Sequence, residues 1–183
     1  MIVYAQLEIL LVAFMASPLV ICALRKRVRG LRLAASVLLM IYVVFAAKYF
    51  FFPIWFDQGA LSNSGLGLEL IPILPLVEQA RHMEMGIFLY QLFGNILSFA
   101  PVTFLCAAAY PRFRRFGPSL LLALDCSLGI ELIQLLINLV TQIQNRTVDV
   151  NDVLLNLIGG ILGFACWKAA ELLLHRVVKL EDF

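Results

Sequence analysis

The sequence predicts an all-α membrane protein, a single domain over residues 1–183 built as a bundle of about five transmembrane helices, and three observations predict it. Hydrophobic residues make up 62% of the chain and charged residues 14%, whereas a water-soluble domain is about a quarter charged. The apolar residues fall into five runs, each near the roughly 20 helical residues that a hydrocarbon crossing takes. Cationic residues follow every second run, the asymmetry that the positive-inside rule reads as orientation. A net charge of +2 is too small to point to a nucleic-acid partner.

The first run covers residues 7–24 and is followed by Arg25, Lys26, Arg27, Arg29 and Arg32. A cleavable signal peptide carries its positive charge before the apolar run, so this segment reads as a retained helix. The second covers residues 33–55, with Lys48 near one end, where its long side chain can reach the interface. The third, residues 86–109, is followed by Arg112, Arg114 and Arg115; the fourth covers residues 118–140; the fifth, residues 150–174, is followed by Arg176 and Lys179. With the basic stretches in the cytoplasm, the N-terminus lies outside and the C-terminus inside, leaving Lys48, Arg81 and Arg146 as the outer cations.

Two external loops follow. The longer, residues 57–85, opens with a Gly- and Ser-containing stretch and turns apolar again at residues 68–77. That apolar piece contains Pro72 and Pro75 and is too short to span, which suits a re-entrant or interfacial segment or a loop folded onto the bundle.

Polar residues inside apolar helices carry the functional reading, because an unpaired polar group is costly there. Gln91, Asn95 and Ser98 share one face of the third run; Asp125, Glu131 and Gln134 interrupt the fourth. A carboxylate at depth must be paired or protonated, and Arg146 is the expected partner of Glu131. Arg146, Asp149, Asp152, Asn156, Gly159 and Gly163 recur at spacings of three or four, which predicts one helical stripe with polar outer turns and glycines deeper. The glycines suit close helix packing, and Asp149 or Asn151 suits an N-cap. The predicted site is therefore an outer pocket of Asn95, Glu131, Gln134, Arg146, Asp149, Asp152 and Asn156, roofed by residues 68–77. Cys22, Cys106, Cys126 and Cys166 lack ligand spacing and read as small buried apolar residues, His82 as a loop residue and His175 as part of the basic end.

These residues carry a resemblance. Residues 93–101 (FGNILSFAP), 130–134 (IELIQ) and 146–156 (RTVDVNDVLLN), with Gly159, Gly160 and Gly163, resemble the VanZ-like family of bacterial membrane proteins, and residues 70–73 (LIPI) resemble that family's Asn-Leu-Ile-Pro-Phe element. The likeness covers about residues 70–165. Glu69 stands where Asn is usual, Ile73 where Phe is usual, and Val102-Thr103 where an apolar residue and Gly are usual. The resemblance implies a multi-pass protein of the bacterial plasma membrane and cell envelope, whose founding member is associated with resistance to the glycopeptide teicoplanin. It supplies no molecular mechanism and no catalytic residue.

Three functional classes remain open. One is a lipid-binding or lipid-active protein whose partner is a membrane lipid, a lipid-linked cell-wall precursor or a glycopeptide. An enzyme of this class would hold a divalent cation on Glu131, Asp149 and Asp152, with Arg146 and Asn95 on a phosphate. No histidine cluster or Ser-His arrangement accompanies those carboxylates, and no cofactor is expected. Another is a non-catalytic protein whose polar seam sets helix packing. The third, a small transporter, has no evident inverted repeat behind it.

Overall fold

The computed structural model describes residues 30–56 and 66–177, with side chains to residue 173. The first predicted span, residues 7–24, lies outside the described residues, as do most of the Gly- and Ser-containing stretch and the basic residues Arg25, Lys26, Arg27, Arg29 and Lys179. Four long helices form the body: α1 (Gly30–Phe51), α3 (Met85–Ala109), α4 (Phe116–Thr141) and α5 (Val150–Val177). Each is long and apolar enough to cross a membrane. A short helix, α2 (Leu74–His82), precedes α3, and a 3₁₀ turn, Pro111–Arg114, joins α3 to α4. The protein is thus an all-α polytopic membrane protein.

Exposure departs from the water-soluble pattern, with many large apolar side chains on the outside and several polar ones inside. Phe45, Leu97, Leu132 and Val140, the last 78% exposed, point outward, while Thr103, Ser119, Ser127, Asn138 and Asn156 are buried. Hydrocarbon favours that arrangement, since apolar side chains need no burial in lipid and polar ones need partners. The apolar interior has two parts. Phe50, Phe51, Phe52, Phe99 and Ala123 pack toward one end; Ala35, Ala107, Ala108, Ala109 and Trp167 pack toward the other, where the Arg114 guanidinium sits over the Trp167 ring.

The second predicted run extends to residue 55, but α1 stops at Phe51. Pro53 explains the earlier stop, because it has no N–H to donate and its ring crowds the preceding turn. The chain then continues without regular structure through Trp55, which exchanges backbone bonds with the Asn145 side chain: Trp55 N donates to Oδ1 at 2.6 Å and Nδ2 donates to Trp55 O at 3.2 Å.

The apolar piece of the long loop divides into a two-residue strand, β1 (Leu68–Glu69), and the start of α2. Strand β1 pairs in parallel with β2 (Val148–Asp149), Leu68 opposite Val148 and Glu69 opposite Asp149. Gly67 enters the strand at φ +57, a left-handed conformation glycine adopts at little cost. Ile73 takes φ 69 before α2, which a β-branched residue disfavours. Its N–H donates to Asn151 Oδ1 at 2.7 Å, and the neighbouring Ile71 carbonyl accepts from Asn151 Nδ2 at 3.3 Å. Asn151 thereby holds the strained turn against the first turn of α5.

Helices α3 and α5 run side by side in the same direction, Ile96 against Gly159 and Ala100 against Gly163. A methyl group on Gly159 would overlap the Ile96 carbonyl, and one on Gly163 would overlap the Ala100 carbonyl and Thr103 Oγ1. Thr103 Oγ1 also donates to the Gly160 carbonyl at 2.9 Å, a cross-helix bond that close approach permits. Gly159→Ala and Gly163→Ala are each expected to lower the melting temperature of the detergent-solubilised protein, at the about 1–3 kcal/mol cost of overpacking. Gly129→Ala, with nothing near the added methyl, serves as the control and leaves it unchanged or raises it.

Candidate functional site

The C-terminal ends of α1 and α4 and the N-terminal ends of α3 and α5 meet at one end of the bundle. Between them lies a cavity of about 320 Å³, lined by Asn95, Gln134, Arg146, Asp149 and Asp152 together with Tyr49, Glu69, Gln79 and Gln91. Glu131 and Asn156 lie buried behind this lining. Part of the loop helix borders it, through Leu76 and Gln79 of α2.

The predicted single stripe from Arg146 to Gly163 does not form. Helix α5 begins at Val150, so Arg146 belongs to the preceding connection and Asp149 to β2. Asp149 Oδ1 accepts the Asn151 N–H at 2.7 Å, the bond an N-cap makes to the second helical residue. Its role in starting α5 is therefore direct, and the same carboxylate also borders the cavity.

The predicted Glu131–Arg146 pair does not form either. Glu131 Oε2 accepts the backbone N–H of Asp149 at 2.9 Å. Arg146 Nη2 donates to the carbonyls of Tyr49 at 3.3 Å and Phe52 at 3.0 Å. The reason is chain geometry: the connection before α5 carries Arg146 across the end of α1, whose last carbonyls have no partner within their own helix. Glu131, deeper on α4, meets β2 instead.

The remaining predicted site residues at depth each make a specific bond. Asn95 Nδ2 donates to Asp152 Oδ1, joining α3 to α5. Asn156 Nδ2 donates to Ser127 Oγ at 2.9 Å, joining α5 to α4. Gln134 Nε2 donates to the Phe50 carbonyl at 3.2 Å, and Gln134 Oε1 is buried without a partner. Asp125, grouped by sequence with Glu131 and Gln134, lies on the exposed face of α4 away from the cavity. Ser98 bonds within its own helix, to the Asn95 carbonyl, and does not line the cavity. Among the described residues, no group of three or more His, Cys, Asp or Glu side chains is placed to hold a metal ion, so Glu131, Asp149 and Asp152 do not gather as a cation triad.

Sequence reasoning missed Asn138 and Asn145. Asn138 is 2% exposed; its Nδ2 donates to the carbonyls of Leu66 at 3.0 Å and Arg146 at 2.7 Å, and its Oδ1 accepts from Asn145 N at 2.8 Å and Arg146 N at 3.3 Å. One side chain thus ties both loops to the end of α4. The signal was present, since residues 131, 134 and 138 share a helical face. Asn138→Leu leaves those loop groups unpaired, at a cost of about 1–3 kcal/mol for each buried group that water cannot reach. A fall in melting temperature together with faster proteolysis near residues 142–147 is expected, while Asp125→Asn on the exposed face does not lower stability.

Comparison with known proteins adds one match. A protein-family model described as VanZ/LLP1 matches residues 33–174. This extends on both sides of the stretch whose motifs carry the resemblance. No curated protein and no solved structure matches the chain.

Proposed function

The chain belongs to the VanZ/LLP1 family, and from that premise we propose that its cavity receives the headgroup of a membrane lipid or lipid-linked envelope component. One observation carries the reading. The polar cavity shares Tyr49 with a second, apolar depression of about 310 Å³, lined by Tyr90, Phe93, Gly94, Leu97 and Ser98 on the face of α3. A polar chamber with an adjoining apolar trough on a membrane-exposed helix suits an amphiphile: headgroup inside, chain along Phe93 and Leu97. A soluble polar ligand would have no use for the trough.

Binding rather than turnover is the better-supported role. Glu131 is occupied by Asp149 N, Asp149 caps α5 and Asp152 holds Asn95, so these acids maintain the cavity's shape. Charge supports an orientation: Arg112, Arg114 and Arg115 lie at the opposite end of the bundle, and by the positive-inside rule this favours a cavity facing the outer leaflet of a bacterial plasma membrane. In that setting, sequestering or presenting an outer-leaflet component would contribute to tolerance of a glycopeptide such as teicoplanin.

The test is saturable binding of a short-chain phospholipid to the purified protein in detergent, followed by titration calorimetry. Leu97→Trp fills the trough from an exposed position and is expected to weaken binding about tenfold, the equivalent of about 1.4 kcal/mol, with no loss of melting temperature. Absence of saturable binding, or equal binding by the variant, overturns the headgroup reading. At matched membrane levels, teicoplanin tolerance conferred on a susceptible host should fall with the same substitution. A wild-type chain that binds lipid yet confers no tolerance would remove the resistance role and leave the binding role.

A further inference from the structure

The charge and hydrogen-bond inventory of the cavity goes beyond the general headgroup reading, on which it rests. Three carboxylates, Glu69, Asp149 and Asp152, border the space, against one guanidinium, Arg146. A purely anionic headgroup would enter against a net negative lining, an unfavourable encounter where little water screens it. Carboxylates alone do not define a ligand, and Gln134 supplies the independent observation.

Gln134 is 6% exposed and lines the cavity. Its amide orientation is fixed, because the Phe50 carbonyl can only accept and therefore takes Nε2. Oε1 is left as a buried acceptor with no protein donor, an unfavourable condition unless something donates to it. An unprotonated phosphate, a carboxylate or a quaternary ammonium has no N–H or O–H to offer. A primary ammonium has three N–H donors and a positive charge suited to the carboxylates.

The acids have capacity for it. Asp149 Oδ1 accepts from both the N–H and Nδ2 of Asn151, and Asp152 Oδ1 accepts from Asn95, so each retains a second oxygen. Arg146 uses one terminal nitrogen on the Tyr49 and Phe52 carbonyls, and a guanidinium has five N–H donors, in a fork suited to phosphate.

We propose that the cavity selects a zwitterionic headgroup bearing a primary ammonium beside a phosphate, with Gln134, Asp149 and Asp152 receiving the ammonium and Arg146 the phosphate. The chemistry is that of a phosphoethanolamine group, on a lipid or free.

The experiment is a calorimetric series on the full-length protein in detergent with dihexanoyl phosphatidylethanolamine, phosphatidylcholine and phosphatidylglycerol. Phosphatidylethanolamine is expected to bind at least about tenfold more tightly than either of the others, a difference of about 1.4 kcal/mol. Gln134→Leu, with unchanged melting temperature, should narrow that preference; if the variant fails to fold, the wild-type series decides. Free O-phosphoethanolamine should compete: competition as strong as the lipid's identifies a soluble source, and weaker competition a lipid. Phosphatidylglycerol or phosphatidylcholine binding as tightly as phosphatidylethanolamine, with Leu97→Trp still weakening all three, overturns the ammonium inference and leaves the headgroup reading intact. No saturable binding of any of the three overturns both.

Discussion

The contact on which the structure depends is the passage of α3 across the glycine face of α5. With Ile96 over Gly159 and Ala100 over Gly163, the two backbones lie closer than side chains would allow, and hydrocarbon offers no hydrophobic force to hold them apart or together. Dispersion and cross-helix hydrogen bonds must supply the association. The same contact sets the relative height of the two helices. With Ile96 beside Gly159, Asn95 stands within reach of Asp152 two turns earlier on α5, and that bond defines one wall of the cavity.

At the crossing the interface is built from small residues; toward the cavity end, polar side chains of both helices meet. Membrane proteins place irregular backbone only where protein or water satisfies it, and here asparagines supply the satisfaction. Asn138 pairs Leu66 and Arg146, Asn145 pairs Trp55, and Asn151 pairs Ile71 and Ile73. An amide suits this role better than a charged group, because it both donates and accepts without an ion's desolvation cost. The three together join chain segments around residues 55, 66–73 and 138–151, and the small parallel ladder of β1 and β2 is the backbone counterpart of that joining.

Run length and hydropathy made the spans legible, to within a residue or two at both ends of α3 and α4, because helix length in a bilayer answers to hydrocarbon thickness more than to local sequence. The end of α1 was missed by four residues, although Pro53 marked it. The spacing of Arg146, Asp149 and Asp152 suggested a continuous stripe because a period of three or four looks helical whether or not the chain has begun its helix. What decides is the cap, and Asp149 is the cap. The pairing of Glu131 with a backbone N–H was not legible at all: charge invites charge in a sequence, whereas the fold offered an amide at 2.9 Å. Nor could the β1–β2 ladder be read, since two-residue strands have no periodicity to read.

The acids of the cavity also bear on how the site keeps its shape when empty. A carboxylate free to rotate would collapse onto the nearest donor and close the space around Arg146. Asp149 and Asp152 are instead each held by one oxygen, through a helix cap and a cross-helix amide. The other oxygen is thereby positioned before any ligand arrives. Preorganisation of this kind lowers the ordering cost of binding, and it comes from bonds that the bundle needs for its own stability. Gln134 Oε1, among the residues lining this cavity, is a buried acceptor that the fold leaves without a protein donor. A donor held beside Gln134 would satisfy an acceptor that the bundle's own bonds do not reach.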